Sequence, residues 1–519
     1  MFWPSSYRRV TVCCALTAVS CQWPKNPDDR APLRDPRPIA PISGSVTSNA
    51  KPTVRWTSAF DVRVVVRFCR DRRCAQELTR IETRERSIRP PIELPLGPVF
   101  WRVEALDGVP TTGQSTWWFN VARSNGRPTQ RDDRSARYSA QFDVDGDGRW
   151  DLVDALGRVG LAGDRPRVPL LTVLERPGVE QWDVGDVNGD GFSDILAVDP
   201  RNENSRGTAW LYLAPLTAAL TRASQTLEFP TNANARCGTS VTSGDFNGDG
   251  FHDVALGCDS FSDERGLAFV YFGSTEGLQL ASPIRIDSFA GSGWRFGVRA
   301  AGDLDGDGFA ELVAGAPAVF PERGAIAIYR GSAAGIERSY QWLMRASSDE
   351  SALGTSASSG DFDGNGSVEL VVASGAKGCL HWLDRVSASL GEWRTTRTRC
   401  VRATDSVRSF ERAIAVGDFD GDGLSDVAGR MRDNSTGDIN RLAIFYGARL
   451  DQPDGGREER DLPQGLPECH PPRSADVDSD GFTDVLVCTG GQSTASEIRV
   501  FRGGPNGLSA TSEVLSVQR

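Results

Sequence analysis

The sequence predicts an all-β protein, a seven-bladed β-propeller preceded by a small β-sandwich. Three observations point there. An acidic nine-residue segment recurs seven times, with first residues separated by 43, 59, 58, 58, 57 and 58 positions. Short apolar runs of strand type follow these segments, as at Ile195–Val198, Val254–Gly257, Leu312–Gly315, Leu370–Ala373 and Val485–Cys488. Turn residues are frequent, with 55 Gly and 29 Pro in 519 residues. A unit of about 58 residues holding four strands cannot bury both faces alone, so copies stack radially as blades.

The N-terminus reads as an export signal over residues 1–20. Arg8 and Arg9 precede a short apolar stretch, Val10–Val19, and Ala18-Val19-Ser20-Cys21 follows. Ten apolar-leaning residues are too few to span a bilayer. The ending resembles a bacterial lipobox, which implies a lipid on Cys21; plain signal cleavage is the alternative. Cysteine arithmetic favours the lipobox. Of 11 Cys, Cys13 and Cys14 leave with the signal, and eight form local pairs: Cys69/Cys74, Cys237/Cys258, Cys379/Cys400 and Cys469/Cys488. Cys21 is left over. The compartment is therefore oxidising and extracytoplasmic, either on the bacterial outer membrane or secreted. Residues 21–45 carry Pro24, Pro27, Pro32, Pro36, Pro38 and Pro41 and read as a semi-rigid tether.

Residues 46–122 alternate like strands, for example Val62–Phe68 and Phe100–Ala105, between Pro and Gly turns. Pro52–Trp56, Trp101–Ala105 and Ser115–Val121 together resemble a fibronectin type III module. A spacer role is expected for it in preference to ligand binding, with Cys69 and Cys74 stapling a hairpin turn. Residues 123–134 are a linker, and 135–519 hold the repeats.

The chemistry of the repeats lies in the spacing. Position 1 is Asp143, Asp186, Asp245, Asp303, Asp361, Asp418 and Asp476. Position 3 is Asp145, Asn188, Asn247, Asp305, Asp363, Asp420 and Asp478. Position 5 is Asp147, Asp190, Asp249, Asp307, Asn365, Asp422 and Asp480. Position 9 is Asp151, Asp194, Asp253, Glu311, Glu369, Asp426 and Asp484. Side chains at 1, 3, 5 and 9 can converge on one Ca²⁺, which takes six to eight hard oxygens. The backbone carbonyl at position 7 adds a fifth ligand; that residue is Arg149, Phe192, Phe251, Phe309, Ser367, Leu424 or Phe482. Gly at position 6, common to all seven, permits the sharp turn. The pattern resembles the first half of an EF-hand loop, without the distal Glu at position 12. Mg²⁺ fits less well because it prefers octahedral sites that retain water. Up to seven structural Ca²⁺ are expected. Asn365 should weaken loop 5, and loop 7 has Ser479 in place of a Gly.

Charge agrees with this reading. Net charge is −11 overall, but +10 over residues 1–140 and −21 over the rest. The loops hold 25 carboxylates, so the acidity is mostly ligand. It predicts neither a basic partner nor nucleic-acid binding.

Phe296-Gly297, the Asp303 loop and Leu312–Pro317 together resemble the FG-GAP repeat of integrin α-chain propellers. The resemblance covers about 135–519, with weaker Phe-Gly elements at Leu353-Gly354 and Cys237-Gly238. It implies Ca²⁺ between the first two strands of each blade. Cys237/Cys258 and Cys469/Cys488 would then flank calcium loops, and Cys379/Cys400 would bridge an outer hairpin.

No catalytic constellation emerges: the sequence has no His-Glu-x-x-His, Gly-x-Ser-x-Gly or P-loop. The three His (His252, His381, His470) fall on different blades, and His252 is expected to be exposed. Trp342, Trp382 and Trp393 suit blade packing better than sugar stacking. The functional expectation is a non-enzymatic, calcium-binding surface lipoprotein. It would act in adhesion or as an interaction scaffold for a protein or glycan ligand. The alternative is an extracytoplasmic hydrolase or lyase acting on lipid or polysaccharide.

Overall fold

In the computed structural model the described residues are 36–518, apart from 107–115, 122–142, 290–296, 401–407, 448–456, 463–471, 490–496 and shorter internal stretches. The export signal, Cys21, Cys469 and His470 lie outside them. Secondary structure is almost wholly β. No helix among the described residues is long and apolar enough to cross a membrane.

The repeats form a β-propeller. Five four-stranded antiparallel sheets follow one another in chain order, and a sixth set of four antiparallel strands is part of a larger sheet. Blade 2 is built from Glu180–Gly185, Asp194–Asp199, Thr208–Tyr212 and Gln225–Glu228. The first strands of blades 3 to 7 are Cys237–Gly244, Gly297–Ala300, Leu353–Gly360, Arg408–Gly417 and Arg473–Ala475. Every second strand opens on, or one residue after, the last residue of an acidic loop, so loops 2 to 7 each join a first strand to a second. Second and third strands are apolar on both faces, as in Asp253–Cys258, Leu267–Tyr271 and Ala325–Tyr329, all fully buried. Such strands must be covered by a neighbour on each side, which radial stacking provides.

The short first repeat differs. Leu152–Val153, Arg158–Gly160 and Arg167–Leu174 form a three-stranded piece. Its last strand pairs in parallel with Glu513–Gln518, the outer strand of blade 7. These three strands therefore extend blade 7 into one continuous sheet. The 43-residue spacing after loop 1 marks this departure in the sequence.

Blades are knitted by two rows of hydrogen bonds. Along the inner strands, Ala300 N donates to Thr242 Oγ1 (2.8 Å), Ser359 Oγ to Ala301 O (2.8 Å), Ile414 N to Ser356 Oγ (3.2 Å) and Ser474 Oγ to Val416 O (2.8 Å). Arg473 Nη2 reaches Gln181 O at 2.7 Å and links the first strands of blades 7 and 2. The second row joins loop to loop. The position-8 N–H of one loop donates to the position-1 carbonyl of the preceding loop: Ser193 to Asp143, His252 to Asp186, Ala310 to Asp245, Ser425 to Asp361 and Thr483 to Asp418. Loop 1 thus belongs to the same series as the others.

The N-terminal module has two sheets. One is three-stranded, from Arg37–Ala40, Val54–Thr57 and Ser87–Ile88; the other is five-stranded and centred on Val64–Cys69 and Gly97–Ala105. Arg37–Ala40 and Ser45–Thr47 are strands, so the tether expected over 21–45 ends earlier. Pro38 is compatible because its strand lies at a sheet edge and pairs on one side only.

Three of the four cysteine pairs are disulfides. Cys69–Cys74 closes a hairpin, Cys237–Cys258 joins the strands flanking loop 3, and Cys379–Cys400 bridges the outer hairpin of blade 5. The last two each close loops of about 20 residues, worth about 3 kcal/mol apiece. The Cys237→Ser, Cys258→Ser double variant should therefore melt lower by several degrees. A melting temperature equal to wild type would show that the bond adds nothing.

Candidate functional site: acidic loops under the N-terminal module

In loop 4 the chain folds around its own carboxylates. Asp303 Oδ1 accepts from Gly306 N (2.7 Å) and Asp307 N (3.0 Å), and its Oδ2 accepts from Gly308 N (2.8 Å). Asp305 accepts from Asp307 N, and Asp307 from Phe309 N. Glu311 is held by Leu304 N (2.6 Å) and Gly331 N (3.4 Å). The same bonds recur elsewhere. Position 9 accepts from the position-2 N–H in all seven loops, at 2.6 to 2.9 Å. Most of these acidic side chains are thereby aimed inward by backbone donors. Positions 4 and 6 both require a left-handed backbone, as in Gly306 (φ 77°) and Gly308 (φ 87°), which glycine adopts freely.

The result is convergent oxygen. In loops 1, 4, 5, 6 and 7, carboxylate oxygens from positions 1, 3 and 9 lie within 4.8 Å of one another. In loops 2 and 3 position 3 is Asn, whose Nδ2 donates to position 5: Asn188 to Asp190 at 2.9 Å and Asn247 to Asp249 at 3.0 Å. Asp147, Arg149 and Ser479 lie outside the described residues.

These carboxylates are held at a cost. Burial, then neighbouring acids, pushes Asp303 up to about 7 and Asp305 up to about 6. Burial likewise raises Asp186 and Asp484 to about 7 and Glu369 to about 9. Glu369 Oε1 and Asp478 Oδ1 are buried without a hydrogen-bond donor. A cluster of acceptors that repel one another, with lone pairs left over, suits a hard divalent cation bound by oxygen.

The loop face is also where the N-terminal module docks, which differs from the spacer expectation. Arg72 donates to Gly250 O (2.9 Å) and Asp249 O (3.2 Å), and its guanidinium stacks on Phe251 at 3.6 Å. Ser43 Oγ donates to Gly250 O (3.2 Å) and Trp117 Nε1 to Gly248 O (3.3 Å). Arg37 donates to Asp307 O and stacks on Phe309 at 4.3 Å. Asn120 reaches Asp143 of loop 1 at 3.5 Å. The module's apolar residues and those of blades 3 and 4 form one continuous core.

His252 is buried beneath this contact rather than exposed. Its ring lies 5.5 Å from Trp118, with Nδ1 3.2 Å from Val184 O. Burial lowers its pKa to about 4, so it is neutral at pH 7. His381 is buried on another blade, beside Thr398. Trp382 and Trp393 are buried, and Trp342 packs 6.2 Å from Trp393. All three are packing residues.

Comparison with known proteins agrees with the repeat reading. A family described as FG-GAP-like repeat matches residues 186–256, and the FG-GAP repeat matches 300–329. Integrin alpha pat-2 of Caenorhabditis briggsae is 30% identical over 221 residues, covering 37% of this chain and 17% of that protein. Integrin alpha-IIb of Homo sapiens is 31% identical over 176 residues, covering 32% and 16%. The chain thus spans less than a fifth of these relatives. Among solved structures, the Dos1 propeller aligns over 78% of this chain and 90% of its own, at TM-score 0.40 and 11% identity. A rhamnogalacturonan lyase, YesW, aligns over 90% and 91% at TM-score 0.34 and 15% identity. Likenesses this loose carry no functional inference.

Proposed function

We propose that this FG-GAP, integrin α-like repeat protein is a calcium-binding interaction scaffold working outside the cytoplasm, with a protein or glycan at a cell surface as its ligand. The observation that carries the reading is the convergence of position 1, 3 and 9 carboxylates, most of them aimed inward by backbone N–H groups. Positions 1, 3, 5 and 9 and the position-7 carbonyl would hold one Ca²⁺ per loop, with loop 1 as a seventh site. The ions would have a structural role, fixing strand junctions and the surface on which the module rests. The reading is non-enzymatic, because the clustered carboxylates are bound by backbone donors and committed to metal. An anchor on Cys21 belongs to the same proposal.

Equilibrium dialysis with metal analysis of residues 22–519 tests it. About seven Ca²⁺ per chain are expected, with little displacement by equimolar Mg²⁺. Fewer than two bound ions on intact protein would end the calcium reading. In the full-length protein, Cys21→Ser should leave the membrane fraction; unchanged fractionation would remove the anchor.

A further inference from the structure

We propose that one register position at the end of the third strand of each blade tunes that blade's calcium site, weakening it in blades 4 and 7. The inference rests on the calcium reading above. Strand register fixes the position. Ile195, Val254, Leu312, Leu370, Val427 and Val485 pair with Tyr212, Tyr271, Tyr329, Leu383, Phe445 and Phe501. The next residues are Leu213, Phe272, Arg330, Asp384, Tyr446 and Arg502. One position in a repeating frame is therefore neutral in three blades, cationic in two and anionic in one.

The two arginines point into their own loops. Arg330 Nη2 lies 2.7 Å from Asp307 Oδ2 and 3.3 Å from Asp305 Oδ2, at positions 5 and 3 of loop 4. Arg502 Nη1 lies 3.2 Å from Asp484 Oδ2 and 3.4 Å from Asp478 Oδ2, at positions 9 and 3 of loop 7. A guanidinium there neutralises the carboxylates, takes up oxygen lone pairs an ion would use, and repels a divalent cation. In loop 2 the equivalent side chain, Leu213, brings no charge.

Blade 5 has no cation at this position. Position 5 of loop 5 is Asn365, one carboxylate fewer. Asp384 stands 3.8 Å from Arg394, and Glu369 Oε1 is buried without a donor. In blades 2, 3, 4, 6 and 7 the matching oxygen accepts an N–H from Ala214, Gly273, Gly331, Gly447 or Gly503. Glu369 Oε1 thus keeps a free lone pair for an ion in loop 5. Loops 4 and 7 carry internal counter-cations. They fill last as calcium rises and keep their charge balanced when it is scarce.

Calcium titration against a competing chelator, with melting curves in calcium and after stripping, tests this. Wild type should show two weak sites. Arg330→Gln with Arg502→Gln should tighten both, by on the order of tenfold, and lower the melting temperature of the stripped protein. Arg502→Lys keeps the charge and should leave loop 7 weak. If the glutamine variants bind calcium equally or more weakly with stoichiometry intact, the arginines support the ion and the proposal is overturned. Wild type binding no calcium would instead overturn the calcium reading itself, leaving both arginines as ordinary ion pairs.

Discussion

Stripping calcium at pH 7 should lower the melting temperature by on the order of 20 °C. A ligand bound only by the folded state stabilises by about 2.7 kcal/mol per site at a hundredfold excess over Kd. Several sites acting together exceed the stability of an ordinary domain. The pH dependence should reverse between the two forms. Asp186, Asp303 and Asp484 sit near 7 in the folded, ion-free state, and Glu369 near 9, against ordinary values of about 4 in the unfolded chain. Below about pH 4 both states hold these protons. Between about 4 and 7 the unfolded chain releases them while the folded chain retains them, so stripped protein loses stability as pH rises. With calcium present the same rise frees the carboxylates for the ion, and stability increases. Melting curves at pH 5 and pH 8, on stripped and on calcium-loaded protein, should therefore have slopes of opposite sign. Stripped protein that is more stable at pH 8 than at pH 5 would show that these carboxylates are not the strained groups described.

The repeat and the loops were legible because their signals are local. Positions 1, 3, 5, 6 and 9 lie within nine residues, and the hydrogen bonds that shape them run within the loop or to the strand beside it. The disulfides at Cys237–Cys258 and Cys379–Cys400 were readable because antiparallel neighbours set both spacings. What sequence did not disclose depends on distant partners. Ser356 and Thr242 look like ordinary strand residues until they accept N–H groups 58 residues away. His252 looks exposed on an acidic loop, yet Trp118 covers it from a different domain. The Pro-rich composition of residues 36–41 suggested a tether, but an edge strand tolerates Pro38 where it needs no outer hydrogen bond. Arg330 and Arg502 lie about 20 residues beyond the acids they contact, and only the strand register brings them back.

Gly250→Ala should detach the N-terminal module from the propeller. Gly250 has φ of 89°, so any side chain costs about 1–2 kcal/mol in the backbone alone. Its added Cβ would also lie 2.2 Å from Thr116 O, a backbone atom of the module that cannot move without shifting the adjoining strand Trp117–Val121. Gly306→Ala supplies the control. It carries a comparable backbone cost at φ 77°, but its Cβ meets nothing within 4 Å. Arg72→Ala attacks the same contact from the module side, removing the stack on Phe251 and two hydrogen bonds, together about 2–3 kcal/mol. A protease site placed within 123–134 makes docking measurable. After cleavage, wild type and Gly306→Ala should elute as one species in calcium, held by the shared core and the Arg72 and Arg37 contacts. Gly250→Ala, and Gly250→Ala with Arg72→Ala, should elute as two. Two species from cleaved wild type would mean that the module is merely tethered. One species from the double variant would mean that the apolar core, not the loop contacts, holds it. Separation only in the Gly250 variants would establish that the module reads the shape of loop 3. Since that shape is set by the carboxylates of Asp245 and Asp253, an ion bound there would then govern how the two domains are joined.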